Sequence, residues 1–366
     1  RASREVTETD RLRMWRSGVY TGSMPNERRY QLQSEEANRQ LETLLAGLGV
    51  HPETSQYYAQ MLTTVLKLFE DGADVGDLKI ANSALKELRY AFKVFKPYRM
   101  IPKVTVFGSA RTSVDHPFTL QARALSRRMV EAGWMVITGA GSGVMGGAQA
   151  GAGREQSFGL NIRLPFEQEA NPWIAEDSKL VTFKYFFTRK LFLLKESAAA
   201  CFLPGGFGTF DEAFEVLTLI QTGKTSMIPI VLLDVPGGRY WKSWDAYVRE
   251  QMSGQHLISP EDIHLYRVTE SVEEAAREIL NFYRLFHSHR FVGEELVLRL
   301  RRSLAPEALA ALQHQFRDIL GGPIRSVPGP LPAEEDELPG LPRLVLPFNR
   351  MSYGRLRQLI DVLNQS

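Results

Sequence analysis

From Lys103 onward, short apolar runs and helical patterns take turns along the chain, and this alternation limits the possible folds more than any other feature. Lys103-Val104-Thr105-Val106-Phe107 reads as a buried strand ending in Gly108-Ser109-Ala110-Arg111. Phe118, Ala122, Leu125 and Met129 then recur at the spacing of one helix face. Residues 135–138, 158–162, 199–203 and 229–233 are further strand candidates, most of them separated by helical stretches. Such a series predicts a parallel sheet covered on both faces by helices, with ligands at the carboxyl ends of the strands.

The flanks read differently. Residues 34–97 predict three helices: Ser34 caps one running to about Leu48, Thr54 or Ser55 caps a second to about Glu70, and Asp77 caps a third that Pro97 stops. In the third, Leu78, Ala81, Leu85, Leu88, Phe92 and Phe95 form a narrow apolar seam, with Lys79, Lys86, Arg89, Lys93 and Lys96 on other faces. After a helix over 272–286 come a strand at 296–300, a helix at 306–320, an exposed loop at 321–342, a strand at 344–348 and a helix at 353–364. The expected fold class is α/β: a Rossmann-like parallel sheet with helices on both faces (residues 99–286). A basic arm and helical region (1–98) precedes it, and a small, separable α+β domain (287–366) follows.

A chain of 366 residues has room for two or three such units. Hydrophobic residues at 44% and charged residues at 23% exclude a wholly disordered protein, and a net charge of +2 gives no global case for nucleic acid. Arg1, Arg4, Arg11, Arg13, Arg16, Arg28 and Arg29 make a basic arm, read as solvated or partner-contacting. Cys201, the single cysteine, lies in an apolar run and reads as a buried structural thiol, which fits a reducing cytoplasm. No apolar run is long enough to span a membrane, and the chain start has no secretory pattern; residue 1 is Arg rather than Met, so a preceding leader stays open.

The chemistry sits in the loops. Leu203-Pro204-Gly205-Gly206-Phe207-Gly208-Thr209 joins a strand to a helix whose Phe214, Leu217, Leu219 and Ile220 mark a packed side. Glycines let backbone N–H groups approach an anion, the helix start adds unpaired donors, and Thr209 supplies a hydroxyl, a set suited to phosphate. Asp211, Glu212 and Glu215 follow, and Glu212 and Glu215 share a helix face. Acids there also complement a helix dipole, but beside a bound phosphate they are repelled, so at least one has another task. A carboxylate next to a phosphate-anchored sugar can hold ribose hydroxyls, stabilise charge at the anomeric carbon or activate water. A second loop, Gly139-Ala140-Gly141-Ser142-Gly143-Val144-Met145-Gly146-Gly147, formally matches a dinucleotide pattern but follows the wrong strand. No ribose-binding acid ends the next strand, where Asn161 and Arg163 stand, so close backbone approach to a mononucleotide is the better reading. Thr188-Arg189-Lys190 opens a helix with two adjacent cations, which favours an anionic ligand nearby.

Together these residues resemble the LONELY GUY family, also catalogued as lysine-decarboxylase-like. Pro204-Gly205-Gly206-Phe207-Gly208-Thr209-Phe210-Asp211-Glu212 looks like the family's P-G-G-x-G-T-x-x-E, and Arg189-Lys190 resembles its upstream pair. Gly159-Leu160-Asn161-Ile162 and Leu164-Pro165-Phe166-Glu167-Gln168 look like its bacterial branch, within a match over roughly 103–286. The resemblance implies a phosphoribohydrolase that releases a base and ribose 5-phosphate from AMP-like or cytokinin-type nucleotides, with Arg189 and Glu212 as the catalytic pair. It also implies a homodimer or higher homo-oligomer. Substrate contacts are expected from Gly108, Ser109, Gly141, Ser142, Gly143, Met145, Lys190, Pro204, Gly205, Gly206, Gly208, Thr209 and Glu215. Where many bacterial relatives carry Gly-Gly-Gly-Pro-Gly and Met-Glu, this chain has Gly139-Ala140-Gly141-Ser142-Gly143 and Met145-Gly146, which bears on base preference.

Hydrolysis of this kind calls for no cofactor, and no lysine stands out as a pyridoxal phosphate anchor. His287-Ser288-His289 is too isolated to argue for a metal and reads as a surface or core feature. Two other classes remain in view: a nucleotide-sensing binding module, for which acids beside the anion have no use, and a nicotinamide-dependent oxidoreductase, which lacks its ribose acid.

Overall fold

The computed structural model describes residues 30–164, 169–334 and 337–366. The basic arm and the Pro165 to Gln168 part of the bacterial-branch motif lie outside the described residues. Contacts divide the described chain into two units, 30–89 and 90–366.

In the first unit, α1 (Glu35–Gly47) is capped by Ser34, whose hydroxyl accepts from the Ala37 N–H as expected. The next helix, α2 (Pro52–Glu70), starts earlier than Thr54, because Pro52 at the first position presets the helical φ and makes His51 the N-cap. α3 (Val75–Phe95), whose residues from Tyr90 on belong to the second unit, likewise starts before Asp77, and the Asp74 carboxylate accepts from the Asp77 N–H at 2.9 Å. Its seam is only partly covered: Leu78, Leu85 and Phe92 are exposed, while Phe95 is fully buried.

The second unit is built on seven parallel strands: β1 (Lys103–Phe107), β2 (Met135–Thr138), β3 (Ser157–Ile162), β4 (Leu180–Phe183), β5 (Ala199–Phe202), β6 (Ile230–Leu233) and β7 (Tyr266–Thr269). The helices between them are α4 (Pro117–Glu131), α5 (Val144–Ala152), α6 (Phe186–Lys195), α7 (Phe207–Gln221) and α8 (Tyr240–Tyr247), and α9 (Val272–Phe282) follows β7. The expected α/β class holds, with sheet order β4-β3-β2-β1-β5-β6-β7. The chain winds outward from β1 to β4, returns to lay β5 beside β1, and winds outward again. Strand order therefore reverses between β1 and β5, and a doubly wound sheet opens its ligand crevice at that point. Val104, Val106, Val136, Cys201, Val231 and Ile279 share one buried core. On the sheet's other side Phe95 stacks on Phe158, with ring centroids 4.4 Å apart.

The remainder forms an antiparallel sheet of β8 (Phe286–Val292), β9 (Glu295–Leu300), β10 (Arg325–Val327) and β11 (Arg343–Leu346), with α10 (Pro306–Gln315) and α11 (Tyr353–Gln365). The helix expected over 272–286 stops at Phe282, and Phe286 already opens a strand. The 321–342 segment is not simply an exposed loop: it contributes β10, and Glu334 is buried between Arg299 and Arg343, at 2.9 Å and 3.0 Å. Burial of two guanidinium groups demands such a partner. The tail also shares buried bonds with the parallel-sheet region. Asn364 accepts from the Leu285 N–H at 2.8 Å and donates to the Phe282 carbonyl at 2.7 Å, and His289 accepts from the Met227 N–H at 2.9 Å. Those bonds argue against easy separation of the tail, since its removal would leave buried donors unpaired.

Candidate active site

The reversal between β1 and β5 brings the loops after both strands into contact. The Ser109 N–H donates to the Pro204 carbonyl at 3.1 Å, and the Ser109 carbonyl accepts from the Val144 N–H at 2.9 Å, tying the loop after β2 to the same place. Glycines make the approach possible. A Cβ on Gly108 would overlap Val144, one on Gly143 would meet the Ser109 carbonyl, and one on Gly205 would run into Thr209 and the Ser109 amide. Gly143 also holds φ at 62°, a conformation that disfavours other residues.

The loop after β5 differs in being open. Among the described residues, and apart from chain neighbours and the helix's own backbone, no atom lies within 4 Å of the place where a Cβ would stand on Gly206 or Gly208. α7 begins at Phe207 with Gly206 as its N-cap and no side-chain capping bond, and its first turn holds no acid. The first N–H groups of a helix have no partner within it, so this uncapped end offers donors and a positive partial charge to an anion.

One turn further, α7 turns Glu212 inward. The expected packed side at Phe214 is corrected: Thr209, Glu212, Ala213, Val216 and Ile220 are the buried residues of this helix, and Phe214 is exposed. Apolar residues occur on both sides of α7, which is why the sequence alone does not single out the inner one. Burial pushes the Glu212 carboxyl up to about 7 against the opposing pull of Lys190 and Arg189. The Arg189 guanidinium on α6 donates from Nε to the Leu160 carbonyl at 2.7 Å and lies against Gly139 with the Met145 sulfur. Burial lowers its pKa while Glu212 acts in the opposite sense.

Gly108, Ser109, Gly143, Met145, Arg189, Pro204, Gly205, Thr209 and Glu212 are thus brought together at the carboxyl ends of β1, β2 and β5. Gly141 packs on Met145, and Ser142 is exposed. Lys190 turns to two carboxylates, Glu215 at 2.7 Å and Asp211 at 2.9 Å. Glu212 and Glu215 therefore divide their tasks, one facing the interior and the other pairing at the surface. Two residues escaped sequence reasoning. Asn171 is buried and donates to the carbonyls of Ala140 and Gly141 at 3.1 Å and 2.9 Å, holding the second glycine loop. Tyr240 donates its hydroxyl to the Gly205 carbonyl at 2.5 Å. Neither has a local signature, since the partners are 31, 30 and 35 positions away.

The doubly wound sheet thus sets an uncapped helix start and a buried carboxyl one turn inside it at the point where strand order reverses. Residues 143–279 match the family described as possible lysine decarboxylase. The cytokinin riboside 5′-monophosphate phosphoribohydrolase LOG1 of Arabidopsis thaliana is 32% identical over 94 residues, 26% of this chain and 42% of that relative. The likeness to this family is thus confined to residues 143–279, and the chain spans less than half the length of the curated relative it matches. Among solved structures, the molybdenum cofactor carrier protein of Chlamydomonas reinhardtii aligns with a TM-score of 0.34 at 20% identity, over 48% of this chain and 94% of its own. The molybdenum cofactor binding protein of Rippkaea orientalis aligns with a TM-score of 0.33 at 18% identity, over 48% and 93%.

Proposed function

We propose that this protein hydrolyses the N-glycosidic bond of nucleoside 5′-monophosphates, releasing the free base and ribose 5-phosphate. The observation that carries the reading is the placement of Glu212: a buried carboxyl whose pKa is raised to about 7, one helical turn from an uncapped glycine-rich helix start. Phosphate held at Gly205 to Thr209 supplies binding energy remote from the reacting bond. With the phosphate anchored, the sugar extends toward Glu212. Water attacks the anomeric carbon, the C1′–N bond breaks, and its electron pair leaves with the base, which takes up a proton. Ionised Glu212 stabilises the cationic character at that carbon or accepts the proton of the attacking water, and the Arg189 charge aids anion binding or base departure. The same reading includes a cytoplasmic homodimer or higher homo-oligomer, which sedimentation would establish.

The test is a panel of 5′-monophosphates and matching nucleosides, followed by chromatography for free base. Monophosphates should be turned over far faster than nucleosides, because an unphosphorylated ligand leaves the loop donors unpaired. Equal rates for AMP and adenosine would contradict the phosphate anchor. Tight binding without base release would favour a nucleotide-sensing module instead.

A further inference from the structure

We propose that Tyr240 is a positioning residue for the phosphate loop: its hydroxyl fixes the peptide between Gly205 and Gly206 so that the Gly206 N–H is presented to the anion. This rests on the reading of the loop as a phosphate site. In a trans peptide the C=O and N–H point in opposite directions, and no peptide in the described structure is cis. The Tyr240 hydroxyl, 2.5 Å from the Gly205 oxygen, holds the carbonyl toward α8. The adjoining N–H is thereby turned away from α8. A glycine pair has little intrinsic preference among backbone conformations, so an outside bond is needed to select one.

The chain invests several groups in placing that hydroxyl. The Tyr240 ring lies near-parallel to Phe210, at 5.8 Å, and edge-on to the fully buried Trp241, at 4.9 Å. Phe210 belongs to the helix that the loop opens, so the Tyr240 ring packs on that helix. Upstream, the buried Asp234 at the end of β6 accepts from the Val235 N–H at 2.8 Å and the Trp241 N–H at 3.4 Å. A side chain on Gly238 would overlap the Asp234 carboxylate, so the turn closes tightly enough to start α8 beside the loop. β6 neighbours β5, which puts this turn next to the loop it serves.

Tyr240→Phe in the full chain removes the hydroxyl and keeps the ring. Calorimetry with ribose 5-phosphate and with inorganic phosphate should show about tenfold weaker binding of each, the scale of one hydrogen bond to a charged group. The melting temperature should change little, and for AMP the loss should fall on KM rather than kcat. A lowered melting temperature with wild-type phosphate binding would make the bond merely structural and overturn the proposal. Wild-type protein that binds ribose 5-phosphate in a Tyr240-dependent way but releases no base would sink the hydrolase reading and leave this one standing. Wild-type protein that binds neither probe would remove both.

Discussion

The two glycine-rich loops of the parallel sheet are built in opposite ways. After β2, the loop is filled by the protein's own atoms: Gly139 and Gly141 press on Met145 and Arg189, Gly143 presses on Ser109, and Asn171 takes up the carbonyls of Ala140 and Gly141. Ala140 holds φ at 63°, a strained value for a residue with a side chain, and the surrounding bonds keep it there. After β5, Gly206 and Gly208 face open space, and Phe207 between them is 97% exposed. Glycine content alone does not separate these cases. Glycines enclosed by protein serve packing, whereas glycines at an open helix start leave room for something from outside.

The largest effect expected is on turnover. Glu212→Gln keeps the size of the side chain beside the open loop and removes its charge, so base release should fall by about 10²- to 10⁴-fold while ribose 5-phosphate still binds. Unchanged base release would take Glu212 out of the mechanism. Next comes the closed loop itself: Gly143→Ala forces a side chain onto the Ser109 carbonyl at a φ of 62° and should cost about 3 kcal/mol or more, seen as a lower denaturation midpoint. A variant as stable as wild type would show that the β2 loop is less filled than its contacts indicate.

A third effect follows from pH. Burial raises the folded Glu212 carboxyl to about 7 from its ordinary value of 4.5. The folded state therefore holds its proton longer, and the stabilisation present below the unfolded value is lost as pH rises through about 7, up to about 3 kcal/mol. Glu212→Gln should accordingly melt higher than wild type at pH 8 and close to it at pH 4. The reverse order would mean that Arg189 and Lys190 outweigh burial. The smallest effect on stability is expected at the open loop. Gly208→Ala meets no atom within 4 Å among the described residues beyond its neighbours and its own helix, so it should change folding by less than about 1 kcal/mol and yet weaken phosphate binding. A large loss of stability there would erase the contrast between the loops.

The sequence made the interior strands legible and left the edges obscure. Lys103 to Phe107 and Met135 to Thr138 are short apolar runs flanked by glycine, and the structure keeps those bounds. β4 and β7 were not anticipated: they are four-residue edge strands, and Thr182 and Arg267 within them face solvent, so no continuous apolar run marks either one. The loop after β5 was readable because its glycines, threonine and acid are contiguous. Asn171 and Tyr240 were not, because a hydrogen bond to a distant carbonyl leaves no periodicity behind. Glu334 was hidden for a related reason: an acid in a proline-rich segment reads as solvated until Arg299 and Arg343 are seen to enclose it.

Cys201 gives the chain a built-in clock. It is the single cysteine of the sequence, sits fully buried in β5 between β1 and β6, and lies only a few residues ahead of the glycine-rich loop. Burial raises its thiol pKa, which suppresses the thiolate that alkylating reagents attack. Labelling must therefore wait until the middle of the sheet opens, and with no competing thiol its rate counts those openings. A ligand seated on the loop after β5 would slow that count, so the rate of alkylation can report occupancy of the site without any turnover.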